Sequence, residues 1–301
     1  MKEMKPLFSV LMANYNNGKY ILDAIDSVRS QDYTNWEVII IDDSSTDNSH
    51  SIYKSLKNDY RIRIFYNEKN MGCGYSKNRC VKEANGEICG FLDPDDILLP
   101  NAISKHVETH LANPNASVVY SKAHYCDTTF NKVLEDEELP NFCGGRTYFD
   151  YRWVGSMHLT TFKKSYYLKT EGINPKAKAG VDQDLYFLIE EVGDIVGLDE
   201  FCYNYVVKGH ENSIATNDNK YIDLWYWNLH ARYRAAKRRG LDADGIIMDD
   251  MRIVFDRYVK MKIGAAVLQK ELEVRNSLAY KIGNFLIKPF KKIKRSFYGK
   301  C

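Results

Sequence analysis

Four apolar runs alternate with segments of helical periodicity, and this alternation restricts the fold more than any other feature. The runs are Phe8–Ala13, Trp36–Ile41, Ile62–Tyr66 and Ile88–Leu92. Each reads as a buried strand, being short, apolar and bounded by turn residues. After the first, Tyr20, Ile21, Ala24, Ile25 and Val28 recur at helical spacing. After the second, Asp47 to Ser49 offer caps for a helix through Leu56, and a third helix covers Ser76–Ala84. Strands alternating with helices of about 10 residues indicate βαβ units and a largely parallel sheet. The fold class is therefore α/β.

Carboxylates gather where that sheet would end. Asp42-Asp43 follow the second run, and Asp93-Pro94-Asp95-Asp96 follow the fourth. Ligands of open α/β sheets bind beyond the carboxyl ends of the strands. Three acids in four residues repel one another unless a cation neutralises them. Mg²⁺ and Mn²⁺ suit such a place, because they take one or two carboxylates and fill their shell with water and phosphate. The competing reading of either group is a solvated turn that caps the next helix. Two such groups in successive units favour the walls of a nucleotide crevice.

Three blocks resemble those of family 2 glycosyltransferases: Ser9–Asn16, Ile40–Asp47 and Gly86–Asp96. A fourth, Asn70-x-Gly72 with Lys77-Asn78, fits in order. The resemblance covers roughly residues 7–215. It implies the GT-A fold, a Rossmann-like, mostly parallel mixed sheet flanked by helices, and inverting transfer from a nucleoside-diphosphate sugar, with a uridine nucleotide the commoner donor. It further implies that Tyr15 stacks on the base and Asp43 accepts from it. Asp93 would reach the ribose or a metal-bound water, and Asp95 would bind Mn²⁺ or Mg²⁺ directly. Lys77 stands where the family usually has Arg, which keeps a cation for the diphosphate but loses bidentate geometry. Ala13 stands for the common Thr and removes a hydroxyl contact to the nucleotide.

Gly180-Val181-Asp182-Gln183-Asp184-Leu185 opens a helix. Asp182 and Asp184, two residues apart, cannot share one helical face. The resemblance makes Asp182 the general base, with Val181 where the family has Glu. It also suggests His210, in His-x-x-Ser, as a further metal ligand or as a contact to the diphosphate. Asp42, Asp96, His158 and Asp184 are candidates for supporting or acceptor contacts, and Trp153 a weaker one.

The remaining chain reads as a helix from Pro100 to about Leu111, a strand at Ser117–Tyr120 and a polar surface loop over 128–148. A strand at Met157–Lys163, a short helix at Lys164–Leu168 and a strand pair, Asp194–Leu198 and Phe201–Val207, follow. The expected division is an α/β domain over 1–215 and a helical extension over 216–301. Within the domain, residues 1–100 form the nucleotide-binding half and 101–215 the acceptor-binding half.

Seven scattered cysteines, without a C-x-x-C pair, argue against a disulfide framework and a structural zinc site. Residues 281–301 carry seven Lys/Arg and no acid, whereas residues 1–280 hold 35 basic and 40 acidic side chains. Ile282, Phe285, Leu286, Phe290, Ile293 and Phe297 line one face of this tail, the pattern of a membrane-surface helix. An acidic body argues against a nucleic-acid partner. The expected setting is the cytoplasm, peripheral at the inner membrane face, with a saccharide or lipid-linked saccharide acceptor in bacterial surface polysaccharide synthesis. Two rivals stand beside this reading. An inactive GT-A scaffold would bind nucleotide without turnover. A sugar nucleotidylyltransferase would need a Gly-rich phosphate loop where Asn14-Tyr15-Asn16-Asn17-Gly18 stands.

Overall fold

The computed structural model describes residues 5–135, 139, 147–150, 157–208 and 218–276. Strands β1 (Phe8–Asn14), β2 (Trp36–Asp42), β3 (Ile62–Tyr66) and β4 (Ile88–Phe91) are linked by helices α1 (Ile21–Arg29), α2 (Ser49–Leu56) and α3 (Cys73–Glu83). β1 pairs in parallel with β2 and with β4, and β2 in parallel with β3. The order β3-β2-β1-β4 reverses direction at β1, so the carboxyl ends of β1 and β4 flank a crevice of the kind ligands occupy.

Helices cover both faces of these strands, and β1, β2 and β4 are largely apolar and buried for that reason, whereas β3 at the edge is only partly buried. Alternate residues feed two cores. Leu11, Ile39 and Ile41 pack with Cys80 and Val81 of α3. Val10, Met12, Val38 and Ile40 pack with Ile21, Ile25 and Val28 of α1 and with Tyr53 and Leu56 of α2.

Beyond β4 the chain forms β5 (Ile97–Leu98), α4 (Ala102–Ala112), β6 (Ala116–Asp127), β7 (Lys132–Glu135), β8 (His158–Lys163), α5 (Lys164–Tyr167), α6 (Val181–Glu190) and β9 (Asp194–Lys208). The sheet runs β3-β2-β1-β4-β8-β6-β9-β5, with β7 on β6. Its second half is mixed, because β8 is antiparallel to both β4 and β6 while β9 is parallel to β6.

Three expectations need correction here. The strand pair at 194–207 is the single strand β9, bent by register shifts along β6. The strand at Ser117–Tyr120 extends to Asp127. The 128–148 stretch is not wholly loop, since β7 forms a hairpin with β6.

Helix α7 (Asp218–Arg238) and helix α8 (Ala243–Asn276) follow. One compact unit reaches Ile247, past the boundary expected at 215, because α7 supplies Ala231, Ala235 and Ala236 to the first core. The second unit begins at Met248, and on it Met248, Phe255, Ile263 and Val267 are exposed. Among the described residues no helix is long and apolar enough to cross a membrane. The basic tail at 281–301 lies outside the described residues.

Under the sheet, Thr161 Oγ1 lies 2.9 Å from His106 Nδ1 and 3.0 Å from His110 Nε2. The hydroxyl donates to Val119 O, so both rings are the donors. Burial, with the neighbouring His110, lowers the His106 pKa to about 3; burial, with Lys163, lowers that of His110 to about 3. The unfolded chain, with ordinary values near 6.5, then binds more protons in acid, so each histidine costs stability as pH falls below about 6.5. By pH 5 the loss is about 2 kcal/mol for each ring. We expect His106→Asn, which keeps a donor toward Thr161, to remove about half of this acid sensitivity. Chemical denaturation of both proteins between pH 7 and 5 measures the difference; parallel curves would contradict it.

Candidate active site

The loops after β1 and β2 clasp one another. Asn16 Oδ1 accepts from Thr46 N at 2.7 Å, and Asp47 Oδ2 accepts from Gly18 N at 2.8 Å. Asp42 is fully buried and points away from the crevice, accepting from Ser45 N at 2.8 Å and from the Tyr53 hydroxyl at 2.7 Å. Asp43 turns the other way and braces the turn before α3. Its Oδ1 accepts from Met71 N and Asn67 Nδ2, at 2.8 and 2.7 Å, and its Oδ2 from Gly72 N at 2.8 Å. The turn needs Gly72, whose φ is +91°. Tyr15, just past β1, is 47% exposed, and Ala13 is half-buried beside it on β1.

The three acids after β4 divide their work. Asp96 is buried and fastens β9, accepting from the Tyr203 hydroxyl and from Val206 N, both at 2.8 Å. Burial and the charges of Asp95 and Asp93 hold its carboxyl well above the usual range. Asp93 is half-exposed on the crevice wall. Asp95 is half-buried, and burial with the charge of Asp93 pushes its carboxyl up to about 6.

Asp182 and Asp184 diverge from the start of α6, where Gly180 adopts φ +62° and any Cβ would meet Asn228. Asp182 faces the crevice, its side chain 43% exposed, and its Oδ1 lies 2.7 Å from Lys77 Nζ. Asp184 is buried behind it, accepting from Asn174 N at 2.7 Å and paired with both Nη1 contacts of Arg234, at 2.8 and 3.1 Å. Lys77 projects from α3 with only 5% of its side chain exposed. Its ammonium also lies 3.4 Å from Asp93 and 5.0 Å above the Phe91 ring. Burial alone would lower its pKa, but Asp182 and Asp93 outweigh that and raise it well above the ordinary value.

Asp182, Lys77, Asp93 and Phe91 line one cavity with Thr160, Leu185, Tyr186, His158, Tyr203 and Tyr205. The His158 ring lies 4.7 Å from that of Tyr205 and 5.8 Å from that of Tyr203, with Nε2 3.3 Å from the Tyr125 hydroxyl. The sequence reading passed over these tyrosines. Phe201, Tyr203 and Tyr205 alternate along β9, and that period of two was the available signal.

Among the described residues no three His, Cys, Asp or Glu side chains cluster as a complete metal cage; His210 and Trp153 lie outside the described residues. Asp93 and Asp95, two residues apart after β4, are hard oxygen donors, and burial, with the charge of Asp93, makes a second negative charge on Asp95 costly unless a cation balances it. That set suits Mg²⁺ or Mn²⁺ completed by water and phosphate, and not a four-ligand zinc site.

The sequence pattern described as Glycosyl transferase family 2 matches residues 9–170. A chondroitin synthase of Escherichia coli is 31% identical over 217 residues, covering 71% of this chain and 31% of that protein. The chain thus spans less than a third of that relative's length. Among solved structures, S. aureus TarS 1–349 in complex with UDP-GlcNAc superposes with a TM-score of 0.58 at 19% identity, covering 76% of this chain and 70% of that one. The mannosyltransferase PcManGT from Pyrobaculum calidifontis, in complex with GDP-Man and Mn²⁺, gives 0.56 at 15% identity, covering 99% and 89%. Both likenesses are of fold: a central mixed sheet flanked by helices.

Proposed function

This chain belongs to glycosyl transferase family 2, and on that premise we propose that it transfers a sugar from a nucleoside-diphosphate sugar to an acceptor hydroxyl, inverting the anomeric centre. The observation that carries the reading is the meeting of Asp182, Lys77 and Asp93 on one crevice wall at the carboxyl ends of the strands. Tyr15 offers a face for the base, and Asp43 keeps acceptor capacity on Oδ2 toward a base N–H.

The acceptor hydroxyl attacks the anomeric carbon from the face opposite the diphosphate. Its proton passes to the Asp182 carboxylate, the bond from carbon to phosphate oxygen breaks, and the electron pair leaves with the nucleoside diphosphate. No covalent sugar–protein intermediate is needed. Lys77 neutralises charge at the diphosphate. A Mg²⁺ or Mn²⁺ ion held by Asp95, with Asp93 beside it, would offset the negative charge that builds on the leaving group.

His158, Tyr203 and Tyr205 present aromatic and polar surface suited to a sugar, which supports a saccharide acceptor. The likeness to a chondroitin synthase supports the same class. A lipid-linked saccharide at the inner membrane face is the form that the basic tail favours.

Incubation with UDP- and GDP-sugars and Mn²⁺, followed by assay of the released nucleoside diphosphate, tests the reading. Release is expected from one donor class, lost with EDTA and reduced about 10²-fold or more in Asp95→Ala. Release of pyrophosphate from a nucleoside triphosphate and a sugar phosphate would overturn it in favour of nucleotidyl transfer.

A further inference from the structure

The ammonium of Lys77 holds the carboxylate that must take the proton. We propose that Lys77 is a latch on Asp182: without donor it occupies Oδ1 of the base, and the diphosphate of an arriving donor draws it off. The inference rests on the sugar-transfer reading of this site and adds to it an order of events.

Four features carry it. The ammonium is 2.7 Å from Asp182 and 3.4 Å from Asp93, so it sits between the acceptor and donor sides of the crevice. Both carboxylates are more than 40% exposed, which leaves an anion access to the cation between them. A buried ammonium needs an anion beside it, and a diphosphate carries more charge than one carboxylate, so the exchange leaves Lys77 compensated. Finally, the group is a lysine. A guanidinium would grip Asp182 by two parallel hydrogen bonds, whereas an ammonium is a point charge on a rotatable four-carbon stem.

The consequence is that Asp182 is released for proton transfer only when the donor is in place. Donor binding must also break the Lys77–Asp182 pair, and that cost is measurable without any acceptor. Calorimetric titration with UDP and GDP, each with Mn²⁺, is made on the wild type, Asp182→Asn, Lys77→Met and the double variant. Asp182→Asn should bind the diphosphate that the wild type prefers about five-fold more tightly, because no pair has to be broken. In the Lys77→Met background the same change should alter affinity by less than about two-fold. Lys77→Gln replaces Lys77→Met if the latter fails to fold.

Equal affinity of wild type and Asp182→Asn would overturn the latch while leaving the transferase reading intact. A gain that persists without Lys77 would also overturn it, since mere repulsion between Asp182 and diphosphate predicts that result. Binding of neither diphosphate to the wild type would overturn the latch and the donor reading together.

Discussion

Asp182→Asn is expected to lower the rate of sugar transfer by about 10³-fold, as loss of a general base does. The amide is of the same size but cannot accept the hydroxyl proton. The change should leave the fold in place, because Asp182 is 43% exposed and makes its close contact to Lys77 alone among the hydrogen bonds of the described residues. Initial rates at saturating donor, alongside circular dichroism, measure the effect. A fully active Asp182→Asn protein would remove the base from the account. Asp184→Asn serves as the contrast: Asp184 is buried on the far side of α6 and has no route to an acceptor.

The second large effect is on stability. Arg234→Met should cost about 3–5 kcal/mol, because it strands a buried carboxylate. The Asp184 side chain is 2% exposed, and even with Arg234 beside it burial keeps its carboxyl above the ordinary range. Arg234 also reaches Glu171, so the substitution loosens α7 both from α6 and from the segment that precedes it. Protonation relieves a buried charge, so the penalty should shrink as pH falls through the raised pKa of Asp184. Urea unfolding at neutral pH measures the loss, and adding Asp184→Asn to Arg234→Met should recover part of it. A loss below about 1 kcal/mol would show that water compensates Asp184 in the variant.

The first half of the fold was legible in the sequence because β1, β2 and β4 are buried on both faces. An uninterrupted apolar run such as Val38–Ile41 leaves little choice of element, and Gly86 and Gly72 mark the turns. In the second half, Asp199-Glu200 reads as a turn that splits one strand into two. It does not split β9, because the ladder to β6 resumes on either side, Ser121 pairing with Leu198 and Lys122 with Phe201, and leaves Asp199-Glu200 as a bulge. Partners so distant in the chain leave no local signal. β7 escaped for a similar reason: all four of its residues are exposed, so it lacks the apolar face that marks a strand.

The site was legible in its clusters but not in its divisions. Spacing separates the faces of Asp182 and Asp184, whereas it cannot assign which faces the crevice; Arg234, 50 residues on, decides that. Among Asp93, Asp95 and Asp96, the anchoring of Asp96 depends on Val206 and Tyr203 of β9. The pairing of Lys77 with Asp182 joins α3 to α6 and has no trace in either segment alone.

Following the anomeric configuration of the first-formed product by proton NMR, on the donor that the protein turns over, tests single displacement with Asp182 as base most directly. Transfer to water suffices, so the acceptor need not be known. An α-linked donor should yield the β-sugar first, with the α-anomer appearing only as mutarotation proceeds. Initial formation of the α-sugar would contradict the account, because retention requires a second displacement that this crevice is not proposed to perform.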